Sequence, residues 1–451
     1  MRIIIAGAGD VGFYIAKMLA GEAQNLIVID KDPDKIEYLE SHLDAMTIHG
    51  NASSVKVLRE AGVSRADLLI AATTSDDTNI ATAIIGKKLG AERTVARISN
   101  PELLTEASRE QLAELGIDSV VSPEELVARE ISELVKIPNV TYSFSFSEGR
   151  INLLEIKLDG PGPIVYKNLI ETAGYNESKN FMAVAIQRDG QTIIPRGSTV
   201  FKPNDLVYFI TLPDGISDVM KLTGKEEFEI RDIVILGASK TGIHAARMLQ
   251  HKYRVKIVEI NREKSEMAAE ALPETIVING DGHDLELLQE IGLSQMEAMV
   301  AVTGSSETNI ISCLMARNHG VKKTIAMVEN IEYIRLSQEI GIHTIINKKL
   351  IAAGEFFRYV RKGPIVRLLS IYSVHAEVLE LEVPEKARIT KKKIKDLNLP
   401  KEAIIAGVTR GDEAFITLGD FEVVPGDRVI VFARPDAVED VVRFFKPSTL
   451  F

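Results

Sequence analysis

The sequence is written twice. At an offset of 230, Gly7, Gly12, Gly50 and Asn79 fall on Gly237, Gly242, Gly280 and Asn309, and Asp77-Thr78-Asn79-Ile80 falls on Glu307-Thr308-Asn309-Ile310. After a five-residue contraction, ELGIDSVVSP from Glu114 matches EIGIHTIINK from Glu339. Near the ends of the halves, FKPNDLVYF from Phe201 resembles EVVPGDRVIVF from Glu422. Whatever architecture the first half adopts must therefore be adopted again, and 451 residues exceed one core, predicting two to four domains.

Each half reads as two pieces. In the first, the strand-like runs RIIIA (2–6), LIVID (26–30), AMTIHG (45–50), LLIAAT (68–73), TVARI (94–98) and DSVV (118–121) alternate with helical stretches. Val11, Ile15, Met18 and Leu19 mark one face of the first helix. The βαβαβ order predicts a parallel sheet covered by helices on both faces. Ser122-Pro123-Glu124-Glu125 has the form of a helix start, with serine as N-cap, and predicts a helix to Lys136 that stops before Pro138. The second piece has strand composition and turn punctuation in NLLEIKL (152–158), MAVAIQRDG (182–190) and DLVYFI (205–210), with a short helix near Val219. Its copy gives VLELEV (378–383), AIIAGVTRGDEAFI (403–416) and RVIVFAR (428–434). The expected fold class is α/β: two doubly wound, Rossmann-like parallel-sheet lobes at 1–139 and 228–367, each followed by a small α+β lobe, at 140–224 and 368–451.

The formal net charge of −11 disfavours a nucleic-acid partner. Cys313 is the sole cysteine, which excludes an intramolecular disulfide and a Cys-cluster zinc site and fits a reducing cytoplasm. A glycine-rich turn interrupts the apolar start, so a signal peptide is not expected. No apolar run approaches the roughly 20 residues of a membrane helix. The eight histidines show no metal-ligand spacing, and no metal is expected. Lys386 to Lys395 reads as a solvated basic face or a surface for an acidic partner.

The chemistry concentrates in GAGDVG, Gly7-Ala8-Gly9-Asp10-Val11-Gly12, which follows a strand and opens a helix. Gly7 allows the tight turn, Gly9 lets a pyrophosphate approach the backbone, and Gly12 lets the helix pack on the sheet. Phosphates would then meet the helix N-terminal N–H groups. Asp30 ends the second strand, where a carboxylate accepts from ribose hydroxyls and repels a 2′-phosphate, favouring NAD over NADP. Asn51 and Ala52 end the third strand, and Ala72, Thr73, Asp76 and Asn79 follow the fourth. These short residues either frame an adenine or ribose or cap the next helix. Arg97 ends the fifth strand, as a phosphate clamp or as a solvated surface arginine.

The second half carries the equivalent positions Gly237, Ser239, Lys240, Thr241, Gly242, Glu259, Gly280, Asp281 and Thr303. Ser239 replaces a glycine and places a Cβ against the phosphates, and Lys240 replaces Asp10 with a charge suited to a polyphosphate. Met327 stands where Arg97 stood. The glycine needed for a P-loop is absent before Lys240-Thr241. The first site is expected to prefer NAD(H), and the second to take ATP or ADP or to be degenerate. No catalytic constellation emerges, so an NAD-dependent oxidoreductase is the secondary reading. A redox-sensing transcription factor would need a helix-turn-helix module, which is not expected here.

GAGDVG, the Asp30 strand end, AATTSDDTN (71–79), VARI (95–98) and VPGDRVIVF (424–432) resemble the RCK/KTN family, and the tandem arrangement resembles its two-fold members. The resemblance covers nearly the whole chain. It implies a regulatory, non-enzymatic protein whose nucleotide domains bind NAD(H), ATP or ADP without turning them over. It implies crossover helices, here about 122–137 and 347–361, that pair domains into dimers. It further implies a homo-oligomeric ring, of dimers or tetramers, on the cytoplasmic face of the membrane beneath a Trk-type (TrkH/TrkG-like) potassium-translocating subunit that it gates.

Overall fold

The computed structural model describes residues 1–20, 25–226, 228–342, 344–360, 365–371 and 375–446. Parts of the expected lobes, including 361–364 at the end of the second crossover region and the terminal 447–451, lie outside the described residues.

The first half begins with β1 (Arg2–Ala6), α1 (Asp10–Leu19), β2 (Asn25–Asp30), α2 (Pro33–His42), β3 (Met46–His49) and α3 (Val55–Glu60). It continues with β4 (Leu68–Ala71), α4 (Asp76–Lys88), β5 (Thr94–Arg97), α5 (Glu106–Glu114), β6 (Ser119–Val121) and α6 (Pro123–Lys136). The strands form one parallel sheet in the order β3-β2-β1-β4-β5-β6. Ile3, Ile4 and Ile5 of β1 are wholly buried because helices cover both faces, which is why the strand reads as an unbroken apolar run. The predicted start of α6 holds: the Ser122 side chain accepts from the Glu125 N–H and Pro123 opens the helix.

The sheet that follows is antiparallel, built from β7 (Tyr142–Phe146), β8 (Ile151–Lys157), β9 (Phe181–Arg188), β10 (Gln191–Ile193) and β11 (Leu206–Thr211) in the order β10-β9-β11-β8-β7. The short helices α7 (Leu169–Thr172) and α8 (Ile216–Thr223) accompany it, and α8 stops at Gly224 in the left-handed conformation. β7 and β10 were not read from the sequence; β7, YSFSF, keeps only two of its five residues buried.

The second half repeats the plan. Its parallel lobe holds β12 (Asp232–Leu236), α9 (Lys240–Leu249), β13 (Arg254–Glu259), α10 (Arg262–Ala271), β14 (Ile276–Asn279), α11 (Leu285–Glu290), β15 (Ala298–Ala301), α12 (Ser306–Asn318), β16 (Lys323–Met327), α13 (Glu332–Glu339), β17 (Thr344–Ile346) and α14 (Lys348–Phe357). The strand order, β14-β13-β12-β15-β16-β17, is that of the first lobe. The antiparallel sheet holds β18 (Ile365–Ile371), β19 (Ala376–Glu382), β20 (Ala403–Arg410), β21 (Glu413–Ile416) and β22 (Arg428–Ala433), followed by α15 (Val438–Phe444). The run 403–416 is a hairpin rather than one strand, and β18 is additional to the three runs read.

The halves are joined reciprocally. The apolar face of α6 (Val127, Ala128, Ile131, Leu134, Val135) shares a core with Ala245, Ala246 and Leu249 of α9 in the other half. Ala352, Ala353, Phe356 and Phe357 of α14 in turn pack with Val11, Ile15, Ala16 and Leu19 of α1. The two antiparallel sheets also share a core, where Tyr208 and Phe432 have ring centroids 6.5 Å apart. The pairing of crossover helices that the resemblance implied between domains is thus made within one chain. Each large apolar side chain buried there contributes about 1.5–3 kcal/mol, so neither half is complete alone.

Candidate functional site

The carboxyl ends of β1 and β4 mark the point where the strand order reverses, the position at which open α/β sheets hold ligands. Gly7 sits there with φ of +112°, and a Cβ on it would stand 2.9 Å from the backbone of Ala72 and Thr73. A Cβ on Gly12 would stand 1.8 Å from the carbonyl oxygen of Gly7. Gly9 differs from both. A Cβ there would meet nothing within 4 Å, and as the N-cap of α1 it offers no side-chain acceptor. The first turn of α1 therefore has no side-chain cap, which leaves its N–H groups available to a pyrophosphate.

Asp30 is held by its own loop. Its Oδ2 accepts from the Ala8 N–H at 2.6 Å and its Oδ1 from the Asp32 N–H at 2.9 Å. Each oxygen keeps a lone pair, so the carboxylate is oriented and still able to accept from a ribose. These residues fit a dinucleotide in charge, donors and space.

Other candidates divide by what their polar atoms already do. Asn51 is exposed, and its Oδ1 accepts from the Ser53 N–H and hydroxyl. Ala52 and Ala72 are buried, in the loops that follow β3 and β4. Asn79 is fully buried; its amide donates to the carbonyls of Thr73 and Arg97, and its oxygen accepts from the Thr73 N–H and hydroxyl. It ties β4 to β5 and shapes the rim rather than facing it. Asp76 accepts from the N–H groups of Ser99 and Asn100, a fastening of the same kind. Val11 points its side chain into the core shared with α14. Arg97 is not a solvated surface arginine: its Nη2 lies 3.5 Å from Glu124 Oε1, and its side chain is 15% exposed. Burial pushes the Glu124 carboxyl up, but Lys348, Arg97 and hydrogen bonds outweigh it and hold it below its ordinary value.

The second loop keeps the frame and changes the phosphate end. A Cβ on Gly242 would stand 2.1 Å from Gly237 O, and Gly237 has φ of +100° beside Thr303. Glu259 accepts from the N–H groups of Ala238 and Asn261 at 2.7 and 2.9 Å, the bonds Asp30 makes. Asn309 copies Asn79 with Thr303 and Met327. Gly280 packs on Leu287, and Asp281 accepts from the His283 N–H and lies 3.0 Å from its ring nitrogen. Ser239 departs from expectation. Its hydroxyl donates to Val302 O at 2.8 Å and accepts from the Gly242 N–H at 3.2 Å, capping α9 from within. The side chain thus spends one of the N–H groups a phosphate would use. Thr241 is buried, while Lys240 is exposed at the first position of α9.

Sequence reasoning missed the contribution of the crossover helices to the rims. Lys349 of α14 lies 3.0 Å from Asp10 Oδ2, and Lys348 lies 3.6 Å from Glu124 Oε1. The signal was present as Lys348-Lys349 at the repeat positions of Pro123-Glu124, but its meaning depends on which helix crosses which. Among the described residues no cluster of three or more His, Cys, Asp or Glu is placed to hold a metal, and no helix is long and apolar enough to cross a membrane. Cys313 is buried, with its thiol pushed up to about 12, which suits a core residue and not a nucleophile.

The TrkA-N domain family matches residues 3–123 and 233–348, and the TrkA-C domain family matches 153–224 and 378–446. The chain is 32% identical over 459 residues to the Trk system potassium uptake protein TrkA of Vibrio alginolyticus, covering 100% of both. The solved structure of the GsuK channel bound to NAD superposes with a TM-score of 0.62 at 18% identity, over 98% of this chain and 78% of that one. GsuK bound to ADP gives a TM-score of 0.52 at 14% identity, over 80% and 69%. At those identities the likeness is one of fold.

Proposed function

We propose a function from one premise, that the chain belongs to the TrkA family of Trk-system potassium uptake proteins and carries the TrkA-N and TrkA-C pair twice. It acts as a peripheral gating subunit on the cytoplasmic face of the cell membrane, beneath a Trk-type potassium-translocating subunit. The lobes 1–139 and 228–367 bind nucleotides, NAD(H) at the first site and ATP or ADP at the second. The lobes 140–224 and 368–451 complete a ring made of several copies of the chain. The nucleotides are effectors, not substrates.

One observation carries this reading: an oriented Asp30 carboxylate beside an uncapped α1, on a helix that packs against α14 of the other half. A ligand seated on α1 therefore bears on the helix leading into the second antiparallel sheet. Preferential binding to one ring state would shift the population of the whole ring. Glu259 and Lys240 support a second, differently charged site.

The test is co-sedimentation of the full chain with membranes carrying a Trk-type transporter, with NADH, ATP or ADP present or absent, while NADH absorbance is followed. Nucleotide-dependent association with NADH intact is expected. Association under no condition, or steady NADH oxidation, overturns the reading.

A further inference from the structure

At the first loop, Lys349 Nζ lies 3.0 Å from Asp10 Oδ2 and 3.7 Å from Glu329 Oε2, with its side chain only 15% exposed. Asp10 is the first residue of α1 and follows Gly9, so the ammonium is paired with the first turn of a helix that has no side-chain cap. Lys349 belongs to the second half, and Asp10 to the first.

At the other loop the charges of the matching positions are exchanged. There Lys240 stands in the loop at the place of Asp10, and Glu124 of the crossing helix α6, at the place of Lys349, lies 3.5 Å from Arg97 and 3.6 Å from Lys348. Glu124 and Lys349 occupy matching places in the two crossover helices, and Asp10 and Lys240 matching places in the two loops. Both positions are reversed in charge together. The second loop carries a cation of its own, Lys240, whereas the cation on Asp10 of the first loop comes from the opposite half.

An aspartate beside a pyrophosphate is repulsive unless a cation offsets it. Lys349 offsets Asp10 at 3.0 Å, its ion pair with Glu329 at 3.7 Å is too long for a hydrogen bond, and an ammonium has three donors, so donors remain for a further ligand. We infer that Lys349 is a phosphate ligand of the first nucleotide site, supplied in trans by the second half, so that a bound nucleotide fastens α1 to α14. The inference rests on the nucleotide-binding reading above. It makes first-site affinity depend on the seating of the second crossover helix.

The experiment is titration of the full chain with NADH, comparing the unsubstituted protein with Lys349→Met, Lys349→Arg, Gly9→Val and the double variant Gly9→Val/Lys349→Met, with a melting curve of each. Lys349→Met is expected to weaken first-site NADH binding about tenfold or more, the scale of a lost charge-assisted hydrogen bond, while Lys349→Arg stays within a few-fold. In the Gly9→Val background, binding that remains belongs to the second site, and Lys349→Met should leave it unchanged. Unaltered NADH affinity in Lys349→Met overturns the inference alone, as does a full loss on top of Gly9→Val. Absence of NADH binding by the unsubstituted chain overturns the functional reading together with it. A melting shift without an affinity change marks Lys349 as structural and also overturns the inference.

Discussion

The buried ammonium of Lys323, at the start of β16, donates to the carbonyl oxygen of Val140 at 2.7 Å, across the two halves. Val140 lies between the end of α6 and β7, so this bond fastens the joint between the first crossover helix and its antiparallel sheet. Thr344 Oγ1 is the other acceptor, at 3.0 Å, and neither bond is to a carboxylate. Arg93, the repeat equivalent, donates to Tyr359 O at the corresponding joint, so the two latches are reciprocal. Arginine stays charged, but burial pushes the Lys323 amine down to about 7 from 10.5. Between about pH 7 and pH 10.5 the unfolded chain holds a proton that the folded chain has released, so this residue makes stability rise with pH across that window. Below pH 7 the folded state carries the full cost of a buried charge. Lys323→Met should therefore raise stability relative to the unsubstituted chain at pH 6 by roughly 1–3 kcal/mol, with the gain shrinking by pH 9.5. Denaturant melts at the two pH values check this, and a constant difference would show that the latch does not titrate there.

Gly9 and Gly12 separate binding from folding. At Gly12 an added Cβ collides with Gly7 O at 1.8 Å, a backbone atom that cannot move without opening the turn. Gly12→Ala should cost at least about 3 kcal/mol, seen as a lowered melting temperature or loss of soluble protein. At Gly9 the backbone is extended and the Cβ meets nothing within 4 Å, so Gly9→Val should shift stability by no more than about 1 kcal/mol. The same substitution fills the space over the first turn of α1, and first-site NADH affinity should fall at least tenfold by titration.

The parallel lobes were legible because their signals are local. Apolar runs buried on both faces, the Ser122-Pro123 helix start and the glycine spacing each act within a few residues, and β1, β2, β4, β5 and α6 fall within a residue or two of where these place them. β7 and β18 were illegible because neither is a continuous apolar run; both are edge strands of their sheets. The backbone duties of Asn79 and Asp76 depend on where β5 arrives, which spacing does not encode. Lys349 depends on a helix crossing more than 300 residues away in sequence, and the charge reversal was visible only as two unrelated substitutions.

Glu130 on α6 offers a second titration, of opposite sign. Its Oε1 is buried without a hydrogen-bond partner, and burial, followed by the nearby Glu133, raises its carboxyl from 4.5 to about 8. Between about pH 4.5 and pH 8 the folded chain keeps a proton that the unfolded chain gives up, so stability from this residue is present at low pH and lost as pH rises towards 8. Glu130→Gln fixes the neutral form. It should melt within a degree or two of the unsubstituted chain at pH 5 and several degrees above it at pH 8.5. Equal melting at both values would place the Glu130 carboxyl in water.

Ser239 determines how much of the second loop is available. Its hydroxyl accepts from the Gly242 N–H at 3.2 Å and donates to Val302 O at 2.8 Å, so the first turn of α9 is partly satisfied before any ligand arrives. Ser239→Gly restores the form of the first loop. Glycine is itself an adequate N-cap, so the cost is about 1 kcal/mol, mostly the lost bond to Val302. The freed N–H group then adds to Lys240, which is exposed at the next position. In the Gly9→Val background, where binding reports the second site, Ser239→Gly should tighten ADP binding several-fold, and Lys240→Met should weaken it about tenfold. Calorimetric titration with ADP measures both. If Ser239→Gly leaves the affinity unchanged while Lys240→Met lowers it, the ammonium alone holds the phosphates and the serine cap is only structural.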